Sequence, residues 1–269
     1  MTAVRVVCIG IVLLPAVALA ALRPAEERAT EAPPHEAKIA TFSIAAIDRD
    51  TGVCGAAVAS KFPAVGKVVA HARADVGAIC TQHYGVKEWG AKALDLLADG
   101  KLPEEVLADL LKNDKNAGGR QLGIIDMKGR SAQHHPVTAG AGSNYWGGMS
   151  GRFYVVQGNT LTGREVIVAM GKAFEETRGS LADRLMAALL AGDCAGGDHR
   201  GRLAAGIRVC KKDVEGYWLD LHVDKSEDAV IELARKYAVL EHEAKGEWPG
   251  AKAPFKHPCP DRPAPKKPA

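Results

Sequence analysis

Thr41 stands at the head of an apolar stretch, Thr41-Phe-Ser-Ile-Ala-Ala-Ile-Asp48. A threonine that begins a chain can act as an N-terminal nucleophile. Its hydroxyl attacks a carbonyl while its own α-amine, with a pKa near ~8, takes the proton. That chemistry needs a free amine, so Thr41 would have to become the first residue. Many strands begin with threonine, and the residue type alone does not separate a nucleophile from an ordinary strand residue.

Further segments carry groups suited to the same chemistry. In Ser60-Lys-Phe-Pro-Ala-Val-Gly66, Ser60 could hydrogen-bond the α-amine and Lys61 could tune it by charge. The plain alternative is a capped loop with a solvent-facing lysine. Gln82, in Thr81-Gln-His83, and Asn159, in Gln157-Gly-Asn159, place side-chain amides at strand ends. There they can donate to an oxyanion or read a substrate amide; turn capping is the competing reading. The segment Gly192-Asp-Cys-Ala-Gly-Gly-Asp198-His-Arg-Gly201 holds Asp193, Asp198 and Arg200 among glycines. Its carboxylates could bind a hard cation, but the spacing matches no EF-hand. An Asp–Arg pair that stiffens the loop accounts for it better, and no metal is expected. His134 and His135 are adjacent on an expected strand, so their rings point to opposite faces. No G-x-S-x-G, H-E-x-x-H, C-x-x-C or P-loop pattern occurs, and no cofactor is expected.

The elements that must position these groups follow from hydrophobic pattern and turn residues. Strands are expected at 41–48, 53–59, 67–72, 76–81, 121–126, from 131, 153–157, 203–209 and 217–223. Helices are expected at 86–97, from Pro103 to about 111, at 163–177, from a Ser180 capping box to 190, and from a Ser226 cap to 237. The glycine-rich segments 140–151 and 192–202 read as loops. Helices therefore come in pairs between blocks of hairpin strands. Two stacked, mainly antiparallel sheets with helices outside satisfy this α+β order better than a doubly wound fold.

The ends of the 269-residue chain differ from its middle. Arg5, an apolar run from Val6 to Ala20 and the Ala18-Leu-Ala20 site read as a signal peptide over 1–20. Residues 21–40 read as a flexible linker. Residues 245–269 carry seven of the fourteen prolines and an excess of lysine, and read as an extended, solvated tail. One domain over 41–244 remains. The overall charge of +3 is too mild for a nucleic-acid-binding stripe and comes from the tail. No second apolar run of membrane length follows, so a soluble protein of the periplasm or the exterior is expected. Its tail could make weak contacts with anionic envelope polymers, and the domain could form a homo-oligomer. Export permits disulfides. Cys54 with Cys80, and Cys194 with Cys210, are the candidate pairs, against buried free thiols.

These blocks together resemble a bacterial family, number 1028 among the domains of unknown function, which is grouped with the N-terminal-nucleophile (Ntn) hydrolases. The resemblance rests on Thr41-Phe-Ser-Ile with Asp48, Gly55-Ala-Ala-Val-Ala-Ser-Lys-Phe62, Ala64-Val-Gly66, Ala72-Arg-Ala, Val76-Gly-Ala and Thr81-Gln82. It continues through Arg120-Gln-Leu-Gly123, Tyr154, Gln157-Gly-Asn159, Gly192-Asp, Ala195-Gly-Gly-Asp198 and Arg200-Gly201. It implies a four-layer αββα sandwich. It also implies an amidohydrolase with Thr41 as nucleophile, a reaction class without a substrate; a small-molecule or peptide amide is the expected partner. The alternative is a non-catalytic envelope-binding module using the loops at 140–151 and 192–201. Family members without an export signal look as though they begin Met-Thr. Here twenty residues separate the expected signal cleavage from Thr41, so a second cut at Ala40–Thr41 is required.

Overall fold

The computed structural model describes residues 41–138, 143–244 and 259. The expected signal and linker lie outside the described residues, as does the tail apart from Cys259.

Among the described residues, ten strands form two sheets. The strands are β1 (Thr41–Asp48), β2 (Val53–Ser60), β3 (Ala70–Arg73), β4 (Gly77–His83), β5 (Arg120–Asp126), β6 (Ser131–His134), β7 (Tyr145–Gly151), β8 (Tyr154–Leu161), β9 (Ala204–Cys210) and β10 (Leu219–Val223). The larger sheet has the order β10-β9-β2-β1-β8-β7 and the smaller β3-β4-β5-β6. Every strand pairing in both sheets is antiparallel. The helices are α1 (Glu88–Ala98), α2 (Pro103–Leu111), α3 (Glu165–Glu176), α4 (Leu181–Cys194) and α5 (Ala229–Ala244).

Period-two alternation sorts the strand residues between two apolar layers. On β1, Phe42, Ile44 and Ala46 pack with Val166, Met170 and Phe174 of α3 and Leu185 of α4, outside the larger sheet. Ala45 and Ile47 point the other way and meet Ala78, Cys80 and Ile125 of the smaller sheet. Outside that sheet, Ile79, Leu122 and Ile124 pack on Leu94 of α1 and on Val106 and Leu110 of α2. Both faces of the central strands are therefore buried, which is why the sequence reads there as unbroken apolar runs. Each fully buried Ile, Leu or Phe contributes about 1.5–3 kcal/mol of transfer free energy. The expected α+β sandwich is the architecture observed, with the helices outside both sheets.

Local signals set several boundaries. Asp48 Oδ1 accepts from the Asp50 and Thr51 amides and turns β1 into β2. Pro103 opens α2, and Ser180 and Asp183 form a reciprocal capping box at α4. Other expectations need correction. Val65–Lys67 forms a single 3-10 turn, so β3 starts at Ala70, beyond the expected 67. The glycine-rich segment expected as a loop contains β7, whose glycines allow close packing: a Cβ on Gly151 would lie 2.2 Å from the Tyr154 ring. Helix α4 runs on to Cys194, through the start of the second expected loop. Ser226 accepts from the Asp228 amide in a turn, and α5 begins at Ala229.

The expected cysteine pairs are not formed. Cys194 at the end of α4 is joined to Cys259, with a Cα–Cα distance of 5.7 Å, and Cys54, Cys80 and Cys210 are free. Sequence proximity suggested Cys194 with Cys210, but β9 carries Cys210 into the layer between the sheets.

Candidate functional site

The inter-sheet layer changes character along the strands. Toward Asp48 it is apolar; toward Thr41 it is polar. Thr41 pairs directly with Ser60 of β2. On its other side Phe42 pairs with Gly158 of β8, so Asn159 comes level with Thr41. Opposed residues of antiparallel strands share a face. The larger sheet thus presents a row Ser60, Thr41, Asn159, backed by Ser43 and its partner Gln157. The smaller sheet offers Gln82 of β4 directly opposite Gln121 of β5.

All seven of these side chains are at most 1% exposed. A buried amide without a partner costs about 1–3 kcal/mol, so the layer persists only as a connected network. Gln82 Oε1 accepts from Ser43 Oγ at 2.6 Å. Gln82 Nε2 donates to Gln121 Oε1 at 2.8 Å and to the Thr41 carbonyl at 3.3 Å. Asn159 Nδ2 donates to the same Gln121 Oε1 at 2.8 Å. Gln121 Nε2 donates to the Gly158 carbonyl at 2.9 Å and meets His135 Nδ1 at 3.1 Å. Gln157 Nε2 donates to the Cys80 carbonyl. Because Gln121 Nε2 faces acceptors, its Oε1 must be the shared acceptor, and the amide orientations follow. Asn159 Oδ1 and Gln157 Oε1 are left as buried acceptors without a protein partner. Burial lowers the His135 pKa, which keeps the ring neutral and able to accept from Gln121.

Backbone strain marks the same place. His83 and Thr160, the residues immediately after Gln82 and Asn159, adopt left-handed φ values of 63° and 52°. Such values are costly for a β-branched residue and cluster at functional sites. Thr160 Oγ1 donates to the Asn159 carbonyl and His83 Nδ1 contacts the Gly119 carbonyl, which helps to hold both turns.

Residues 192–202 lie against the strand ends on either side of Thr41. The Leu203 amide donates to the Ser60 carbonyl, and the His199 amide to the Thr160 carbonyl. Gly197 lies over Phe42. Asp193 forms a buried ion pair with Arg202, whose pKa burial lowers. Asp198 pairs with Arg200 at 2.7 Å. The two carboxylates are thus each taken by a different arginine, and the described residues contain no cluster of three or more metal-ligating groups.

The structure therefore gathers Thr41, Ser60 and Asn159 in one row of the larger sheet, with Gln82 facing them from the smaller sheet. Lys61 follows just beyond β2 and is half-buried. Asp193, Asp198 and Arg200 belong to the neighbouring loop. Gln121, Arg202 and His135 escaped the sequence reading as site residues. The readable signal for Gln121 was a lone amide in the otherwise apolar run Gln-Leu-Gly-Ile-Ile. Two cavities, of about 380 and 550 Å³, lie elsewhere. The first is lined by Asp48, Ser180, Lys211 and Trp218. The second is lined by Lys67, His71, Lys87, Arg208 and His222.

Residues 41–233 match the model of a family of unknown function, DUF1028. The chain belongs to the DUF1028 family. The match begins at Thr41, the first residue of β1. A solved DUF1028 structure, protein SPO2555 from Silicibacter pomeroyi, is 29% identical, with a TM-score of 0.66 over 74% of this chain and 84% of that one. No curated protein matches the chain significantly. No helix among the described residues of this DUF1028 protein is long and apolar enough to cross a membrane.

Proposed function

We propose that the protein is an exported amidohydrolase of the N-terminal-nucleophile type, acting on a small-molecule or peptide amide once the chain is cut between Ala40 and Thr41. The observation that carries this reading is the row Ser60, Thr41, Asn159, facing a buried amide network. Thr41 supplies the hydroxyl and, through its freed α-amine, the base. Ser60 and Lys61 tune that amine. Both Gln82 Nε2 hydrogens are committed to Gln121 and the Thr41 carbonyl, so Gln82 serves as a positioning group. Asn159 Nδ2 retains one hydrogen beyond its bond to Gln121, and donates it to the oxyanion of the tetrahedral intermediate. The loop with Asp193, Asp198 and Arg200 shapes the substrate side.

The signal over 1–20 directs the chain to the periplasm or the exterior. Lys38 at the −3 position disfavours signal peptidase for the second cut, which assigns it to another protease or to self-cleavage. N-terminal sequencing of the mature exported protein tests the reading. A start at Thr41 supports it. A start at Ala21 with no later trimming overturns the free-amine mechanism. In the trimmed protein, an electrophilic β-lactone probe should acylate Thr41 in the parent and in Thr41→Ser, but not in Thr41→Ala.

A further inference from the structure

At the apolar end of the inter-sheet layer, Cys54 of β2 stands directly opposite Cys210 of β9 in antiparallel register. Residues so opposed have Cα atoms about 4.5–5.5 Å apart. A disulfide accepts about 4.4–6.8 Å. The two thiols also point the same way. Cys54 Sγ donates to the Arg73 carbonyl at 2.9 Å and Cys210 Sγ to that of the preceding residue, Ala72, at 3.2 Å. Both side chains are buried at the same boundary between β2, β9 and β3.

We propose that Cys54 and Cys210 are the site of a second disulfide, formed by exchange with a small-molecule or protein disulfide. Cys194–Cys259 already shows that this chain supports a cystine. Cys80 is excluded as a partner. It lies on β4 in the other sheet, its Sγ faces the Ile44 carbonyl, and burial pushes its thiol up to about 12. Removal of the signal leaves five cysteines, so the second cystine makes Cys80 the odd one.

The exchange takes two steps. Cys210 thiolate attacks one sulfur of the oxidant, giving a mixed disulfide and releasing one thiolate. Cys54 loses its proton and displaces the second thiolate from Cys210 Sγ. Two protein thiols are oxidised and one oxidant disulfide is reduced to two thiols. Their proximity divides the labour: each sulfur acts on the other, raising the Cys54 pKa and lowering that of Cys210, so Cys210 is the first attacker. Burial directs the reaction to the stage before β9 seats on β2, or to openings of the β9–β10 hairpin. The product fastens that hairpin, which carries the sheet edge, to the interior strand β2.

The test is to unfold the full chain under reducing conditions and refold it in a buffer of oxidised and reduced glutathione. It is then denatured without reductant, labelled with a maleimide and mapped by non-reducing peptide mass spectrometry. The expected result is that labelled sites among Cys54, Cys80 and Cys210 fall from three to one, on Cys80, with a cross-linked Cys54–Cys210 peptide. Labelling of all three overturns the proposal. So does a lasting glutathione adduct on Cys210 beside a free Cys54. None of these outcomes depends on Thr41.

Discussion

Gln82 and Gln121 face each other across the central strands of the smaller sheet and share a hydrogen bond of 2.8 Å between their amides. That bond makes Gln121 Oε1 the hub of the polar layer, because Asn159 donates to the same atom. Replacing Gln121 by leucine strands two buried amide donors. Unfolding in urea should show a loss of about 2–6 kcal/mol, at about 1–3 kcal/mol per unsatisfied group. Ser43→Ala, which removes one donor to Gln82 Oε1, should cost less. Equal costs for the two variants would contradict the hub.

The buried pair of Asp193 and Arg202 should behave as a unit. Breaking such a pair from one side costs about 3–5 kcal/mol, whereas replacing both partners by apolar groups is far milder. Asp193→Leu and Arg202→Met should each lower the urea midpoint strongly, and the double variant should recover much of the loss. Additive losses in the double-mutant cycle would show that the two residues act separately.

Acid stability should report on Asp114. Its hydrogen-bonded ion pair with Arg120 holds its pKa below the ordinary carboxyl value of 3.8. A depressed folded pKa gives stability that is fully present above the unfolded value and lost as pH falls through the folded one. Asp114→Asn should therefore be less stable than the parent at pH 7. The difference should narrow below pH 3.8. A gap independent of pH would assign the loss to packing instead.

Gly206 of β9 separates propensity from contact. Alanine suits a strand at least as well as glycine, yet a Cβ at this position would lie 2.6 Å from Gly66 Cα and 2.7 Å from His222 Nδ1. Backbone cannot yield as a side-chain tip can. Gly206→Ala should destabilise by about 1–3 kcal/mol in chemical denaturation, the usual range for overpacking. A neutral or stabilised variant would mean that the turn bearing Gly66 shifts freely.

The layers were legible from element order, with paired helices between blocks of hairpin strands; within β1 the unbroken apolar run does not itself say that Phe42 and Ile44 face the helices while Ala45 and Ile47 face the smaller sheet. Glycine misled at β7, where it permits close strand packing and reads like a loop. Strand ends pointed to Gln82 and Asn159. Gln121 was hidden because nothing local says that its partners come from residues 39 and 38 positions away. The same holds for Cys54 and Cys210, whose juxtaposition is created by β9 lying beside β2, a pairing between distant parts of the chain.

In the larger sheet, β1 is an interior strand, held by β2 on one side and β8 on the other. Its first residue is already zipped to Ser60. A cut ahead of Thr41 would leave β1 and the other described strands of the larger sheet in place. The new terminus would arise clamped from both flanks, with its orientation inherited from the uncut chain and little freedom left to lose. Maturation would then be a single bond cleavage without refolding, and an uncut precursor would carry the same assembled fold in a latent form.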